Sequence, residues 1–281
     1  MATIDSQTSG SVTPAPLARA PAILRIVLFY AITFTLSWAL FLPLVLRAFS
    51  PQSGVGALLL ALGVAGPTAT AFVLTALTAG RDGVHRLWRQ VTRWRAGVGW
   101  YALVLVGPGL VYAIGLAVAA RLGFQAPAVN LGDPAVWIAV VVSGVLAGSF
   151  EEFGWSGVAF PTLQARYGFM WAGVVVGIAL ASWHLPFFFI PGLPHYSASF
   201  ALFLLAGVPL RILFGWIYNG TGGSVLLMIL FHASLNAWAE ILSLPTAGAE
   251  PVWLSFTAIL WVAAAAVLLM NRRAMPRSKS A

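Results

Sequence analysis

The sequence has no cysteine and one lysine, and only 8% of its 281 residues are charged. Without cysteine there are no disulfides and no thiolate metal sites. The shortage of charge excludes an ordinary soluble domain, in which about a quarter of residues are Asp, Glu, Lys or Arg. With 60% hydrophobic residues and a mean hydropathy of +0.92, lipid is the solvent for most of the chain. Two common protease signatures are also missing: no HExxH stands on any segment, and no serine sits in a GxSxG turn. No internal repeat marks a solenoid or an array.

What is present is a series of long apolar runs. A helix needs roughly 20 apolar residues to cross a bilayer, and eight runs approach or exceed that, at 23–46, 55–79, 99–120, 135–158, 169–190, 198–218, 223–243 and 251–270. The expected fold is all-α: a polytopic membrane helical bundle of about eight transmembrane helices. Residues 21–273 read as a single transmembrane domain. The polar, proline-bearing stretch 1–20 reads as a disordered cytoplasmic tail rather than a cleaved signal peptide, and 274–281 as a basic cytoplasmic tail.

The net charge of +8 does not point to nucleic acid, because the arginines gather between apolar runs. Arg81, Arg86, Arg89, Arg93 and Arg95 share one aromatic-rich loop, which reads as an interfacial amphipathic segment. The positive-inside rule places that loop, and with eight spans both termini, in the cytoplasm. Outer loops then hold only Arg47 and Arg121. Frequent Ala, Gly, Trp and Arg point to a GC-rich bacterial genome, hence to a bacterial inner membrane.

Several polar residues interrupt the apolar runs. Glu151 and Glu152 stand side by side in the fourth, Arg211 lies within the sixth, and His184 lies in the fifth. His232 and Asn236 lie four apart on one face of the seventh. A charge at a helix centre costs about 2.5–3.5 kcal/mol to insert, and such residues usually face the bundle interior. Taken singly, each histidine reads as a helix-to-helix hydrogen-bonding group, each glutamate as a partner for Arg211, and the GxxxG at Gly144 and Gly148 as close helix packing. Two glutamates, two histidines and an asparagine on three spans can instead converge on one pocket. A desolvated glutamate beside a histidine can activate water, and a second histidine with an amide can stabilise an oxyanion. The set suits peptide hydrolysis without a covalent intermediate. A carboxylate with two histidines is also a zinc ligand set, so Glu151, His184 and His232 are the metal candidates. The cofactor expectation is none, or Zn2+. A proton-coupled transporter and a non-enzymatic scaffold are the alternatives, and the partners are membrane lipid and a peptide or membrane-anchored protein, not nucleic acid. Glu240 has no catalytic assignment, and His85 and His195 are expected to be solvated.

Together these residues resemble the CPBP family of intramembrane proteases, which includes the type II CAAX prenyl proteases and bacteriocin-processing or immunity proteins. Its first motif, EExxxR, corresponds to Glu151, Glu152 and "FGWS"; its second, FxxxH, to "LASWH" ending at His184; its third, HxxxN, to "HASLN" with His232 and Asn236. The resemblance covers roughly 135–240. It implies that Glu151 and His184 activate the attacking water, that His232 and Asn236 stabilise the oxyanion, and that Glu152 is an accessory carboxylate. Both metal-dependent and glutamate-dependent chemistry have been argued for such proteins. Two positions depart from the pattern: Leu180 replaces the phenylalanine of the second motif, and Ser156 replaces the arginine of the first. Without that arginine a buried Glu152 needs another cation. Arg211 is the candidate, pairing across the helix interface, unless it snorkels to the membrane surface instead.

Overall fold

A computed structural model describes residues 21–124, 134–196, 198–242, 244 and 250–274. The two tails, 1–20 and the part of 274–281 beyond Ala274, fall outside the described residues. Helices α1 (Ala22–Val45), α2 (Gly54–Val64), α3 (Gly66–Trp88), α4 (Val98–Arg121), α5 (Pro134–Gly154), α6 (Phe160–Trp183), α7 (Phe200–Gly220), α8 (Val225–Ile241) and α9 (Glu250–Ala274) account for nearly all of them. The structure is an all-α membrane bundle. By length and composition five helical stretches can cross a bilayer, or six counting the α2–α3 pair.

The boundaries differ from the sequence expectation in three places, each for a backbone reason. The second run is not one helix: α2 and α3 meet at an angle of 46°, where Pro67 in the first turn of α3 cannot extend a helix ladder backwards. The fourth run does not stop at 158. It passes from α5 through a π turn at Trp155–Ala159 into α6, and the chain reverses at Gly168, whose φ of 81° is left-handed and favours glycine. Phe160 and Phe169, on either side of this reversal, come to 6.3 Å between ring centroids. Finally, α8 has only 17 residues, or about 26 Å of helix, and is held between α4 and α5. Gly80, with φ 61°, similarly sets the segment Arg81–Trp88 apart from the apolar part of α3.

Cross-links sort the loops into two ends. At one end Gln90 accepts from Val225 N at 3.1 Å and from Tyr218 Oη at 3.0 Å, and its side-chain amide reaches the Gly157 carbonyl at 3.4 Å. Gln164 and Asn219 exchange amide hydrogen bonds there. At the other end Gln52 donates to Gly192 O at 3.1 Å. The arginine-rich loop and Arg166 belong to the first end, and Arg47 to the second.

Apolar packing forms two clusters. One holds Phe29, Phe41, Trp155, Trp183 and their neighbours from α1, α3 and α6. The other holds Tyr112, Phe214, Met228 and Phe256 from α4, α7, α8 and α9. Lipid is as apolar as these side chains, so close van der Waals approach at small residues drives helix association. A Cβ on Gly177 would lie 2.7 Å from Val208 Cα, and one on Gly173 would lie 3.0 Å from Ile212 Cα; these glycines seat α7 against α6 and so fix the height of Arg211. Gly148 does the same for α5 and α8, since its Cβ would lie 2.9 Å from Ile229 O. Gly148→Ala is therefore expected to push α8 away and lower stability by about 1–3 kcal/mol, read as a lower Tm in detergent.

Candidate active site

The polar residues meet in the seam between the two apolar clusters, and α5 supplies the centre. Glu152 is 0% exposed, so its carboxylate has no water to fall back on and must find donors in the protein. It finds them from two other helices and from its own turn. Arg211 on α7 clamps it through both guanidinium nitrogens, at 2.7 Å to Oε1 and 2.9 Å to Oε2. His232 on α8 brings Nδ1 to 2.9 Å from Oε1. Ser156 donates to Oε2 at 2.5 Å. Arg211 is itself only 4% exposed, with its guanidinium carbon 4.3 Å over the Phe214 ring. The snorkelling alternative is thus overturned: Arg211 stands mid-helix and delivers from α7 the cation that the first motif lacks on α5.

The π turn matters to this arrangement. The Phe160 N–H donates to Trp155 O, five residues back, and such turns often mark functional sites. The widened turn begins just beyond Glu152 and carries Ser156 one turn along on the same face. A serine there is short, and Arg211 also contacts its hydroxyl at 3.4 Å. Ser156 is therefore a bridge between the two charges rather than an empty position. Gly154 lets this part of α5 touch α3, because a Cβ there would lie 2.6 Å from Pro67 O.

Glu151, the neighbour, is in the opposite situation. It is 3% exposed, yet its Oε2 has no hydrogen-bond partner in the protein. It stands in electrostatic contact with His232, Glu152 and Arg211 and next to the Trp155 indole N–H. His184 follows the end of α6. Its Nδ1 lies 2.9 Å from Leu180 O; that contact is a hydrogen bond only when Nδ1 carries the proton, which leaves Nε2 free to accept. The reversal at Gly168 puts the two at one level: they are 17 and 16 residues from it along α5 and α6, or about 25 Å each. Trp155 and Trp183 bridge the two helices there, with centroids 6.0 Å apart.

Asn236 lies one turn beyond His232 on α8 and is exposed, as is Glu240 a further turn along. The site therefore grades from Glu152, fully enclosed, to an open side at Asn236. Its depth is set by the Gln90 cross-links. Glu152, Arg211 and His232 stand five, seven and seven residues in from Gly157, Tyr218 and Val225, or roughly 8–10 Å from the arginine-rich end.

His195 does not behave as expected. It is only partly exposed, its ring lies 5.8 Å from that of His184, and Phe187, Phe188 and Phe203 surround it. No span pattern signals this, because the loop after Phe189 folds back over the end of α6. Burial pushes its imidazole down to about 4. The unfolded chain, near 6.5, takes the proton first, so stability present above about 6.5 is lost as the pH falls toward 4. His195→Phe, which suits the aromatic surround, is expected to flatten that acid-side slope in Tm measured against pH. His85, by contrast, is exposed.

Among the described residues, no group of three His, Asp or Glu side chains is arranged to hold a metal ion. Glu151, His184 and His232 are not gathered into such a group; the Nδ1 of His232 is engaged by Glu152 and that of His184 faces a carbonyl, which leaves Nε2 as the open nitrogen of each ring.

Residues 133–238 match the family described as type II CAAX prenyl endopeptidase Rce1-like. The CAAX-protease-type segment thus runs from the start of α5 to near the end of α8 and contains every residue of the network above. CAAX prenyl protease 2 of Methanococcus maripaludis is 32% identical over 135 residues, which is 46% of this chain and 48% of that relative. The chain thus spans about half the length of this curated relative. The CAAX-protease-type segment leaves α1–α4 and α9 outside it.

Proposed function

We propose that the protein is an intramembrane endopeptidase that hydrolyses a peptide bond with water activated by Glu151 and His184. The observation that carries this reading is the division between adjacent glutamates. Glu152 spends all its bonding capacity on Arg211, His232 and Ser156, whereas Glu151 keeps an oxygen without a hydrogen-bond partner. In this reading Glu151 takes a proton from water as the water oxygen attacks the substrate carbonyl. The protonated form of His232, donating through Nε2, and Asn236 at the open side stabilise the oxyanion. The proton then passes to the leaving amine as the C–N bond breaks. Glu152 and Arg211 act through His232 by fixing its ring, as positioning residues.

A missing first-motif arginine would favour an inactive scaffold, but Arg211 supplies that cation to Glu152 from α7. The substrate class is an extended peptide or a membrane-anchored protein. We place the arginine-rich end and both termini on the cytoplasmic side of a bacterial inner membrane, following the arginine distribution. The chemistry as drawn needs no metal.

The test is cleavage of a peptide library by purified protein in liposomes, beside Glu151→Gln and His184→Ala. The reading expects loss of cleavage in both variants, and cleavage that survives both overturns it. Activity retained after chelation, with no stoichiometric zinc by elemental analysis, is the expected metal result. Loss of activity restored by Zn2+ would return Glu151, His184 and His232 to a ligand role.

A further inference from the structure

Glu151 is not alone in lacking a partner. The buried hydroxyls of Tyr30 and Thr33 on α1 and of Thr70 on α3 are also without one. Thr33 and Thr70 are 0% and 3% exposed. A threonine in a membrane helix is usually satisfied by its own backbone, donating to the carbonyl four residues back. Thr78, Thr162, Thr221 and Thr257 all do so here. Thr33 and Thr70 do not. Native interiors rarely leave such groups unbonded, and a buried water is the common resolution where several polar groups share a space.

Contacts between helices bring these groups to one seam. Ser37, one turn beyond Thr33 on the inward face of α1, bonds Gly63 O at 2.7 Å, and its hydroxyl abuts Gly66. Thr70 lies four residues from Gly66, on the same face of α3. Pro67 and Thr68 of α3 touch α5 on both sides of Glu151: Pro67 at Gly154, and Thr68 by donating to Ser149 O at 3.1 Å. Tyr30 stacks on Trp155 at 6.2 Å, one turn from Glu151, and is in electrostatic contact with Arg211. The orphaned hydroxyls therefore lie on the α1–α3 side of α5, next to the part of that helix that carries Glu151.

We propose that Tyr30, Thr33 and Thr70 form with the free oxygen of Glu151 a water-holding pocket that supplies and orients the hydrolytic water. The chemistry suits water: each hydroxyl can donate and accept, the carboxylate accepts, and water does both. The three are positioning residues contributed by helices outside the CAAX-protease-type segment, so that segment has its water side completed by the N-terminal helices. This rests on the endopeptidase reading for its catalytic consequence but not for the presence of water.

Two measurements separate those parts. The first is hydroxyl-radical footprinting of the wild-type protein in liposomes, which labels side chains next to water whether or not the enzyme turns over. Tyr30 is expected to be labelled despite its buried hydroxyl, and labelling is expected to fall in the isosteric double variant Thr33→Val/Thr70→Val. An unlabelled Tyr30, or labelling unchanged in the double variant, overturns the pocket. The second is turnover and Tm of the same variant. The expected result is a loss of ~10- to 100-fold in kcat, the range that misplacement of a reacting group produces, with KM and Tm not worsened. A purely structural role for the threonines predicts the reverse: unchanged kcat and a shift in Tm alone. Tyr30 labelling that responds to the double variant in a protein without peptidase activity would sustain the water pocket and sink the endopeptidase reading. Peptidase activity with no Tyr30 labelling does the opposite.

Discussion

Glu151→Gln is expected to leave the bundle folded and to cut turnover by about 10²–10⁴-fold, the contribution typical of a positioned general base. Glu152→Gln, one residue along, is expected to fail differently. Glu151 has an oxygen without a hydrogen-bond partner in the protein, so an amide of the same shape breaks no hydrogen bond at that atom. It removes only the ability to accept a proton. Glu152 is the acceptor for Arg211, His232 and Ser156 at once. Replacing one of its oxygens by an NH2 group sets donor against donor and leaves the buried guanidinium without a counter-charge. Circular dichroism melts and turnover on the two variants distinguish these outcomes. If Glu151→Gln unfolds the protein, or Glu152→Gln melts like the wild type, the division of labour between the glutamates is wrong.

The second large effect concerns Arg211. Removing one member of a buried ion pair typically costs 3–5 kcal/mol, because the other charge is left uncompensated. Arg211→Met is expected to destabilise by about that much. Adding Glu152→Gln to it is expected to recover a large part, since no lone charge then remains buried. A double-mutant cycle reads this as coupling well above the few tenths of a kcal/mol seen between independent sites. The same geometry makes a sharper test. Ser156 already touches both members of the pair, so Ser156→Arg in the Arg211→Met background restores a cation beside Glu152 from α5 itself. That variant is expected to be more stable than Arg211→Met alone. Additivity in the cycle, or no recovery by the relocated arginine, would show that the ion pair does not hold the site together.

Composition and hydropathy were enough for the class of this protein. A chain this short of charge cannot form a soluble core, and apolar runs long enough to cross a bilayer must be helical because lipid satisfies no backbone groups. The candidate residues were also legible, because Glu151, Glu152, His184, His232, Asn236 and Arg211 stand out as polar residues where polarity is costly. The absence of an arginine at Ser156 even posed the right question about Arg211. Helix limits were less legible. The π turn and the reversal at Gly168 depend on single backbone dihedrals, to which hydropathy averaged over a span is insensitive.

The resemblance gave the two glutamates different roles, but only the tertiary structure shows which contacts each one makes. Adjacent residues on a helix point about 100° apart, but which of them meets Arg211 depends on how α7 is seated, and Gly173 and Gly177 set that. Thr33 and Thr70 look like ordinary small polar residues in membrane helices; whether a hydroxyl bonds its own backbone or turns into a seam is a matter of rotamer and neighbour. The same holds for His195, which reads as a loop residue until the loop folds back over His184. Sequence determined the solvent, the secondary structure and the inventory of costly side chains, all of which follow from local composition. Pairing among those side chains comes from contacts between helices far apart in the chain, and only the packed bundle decides it.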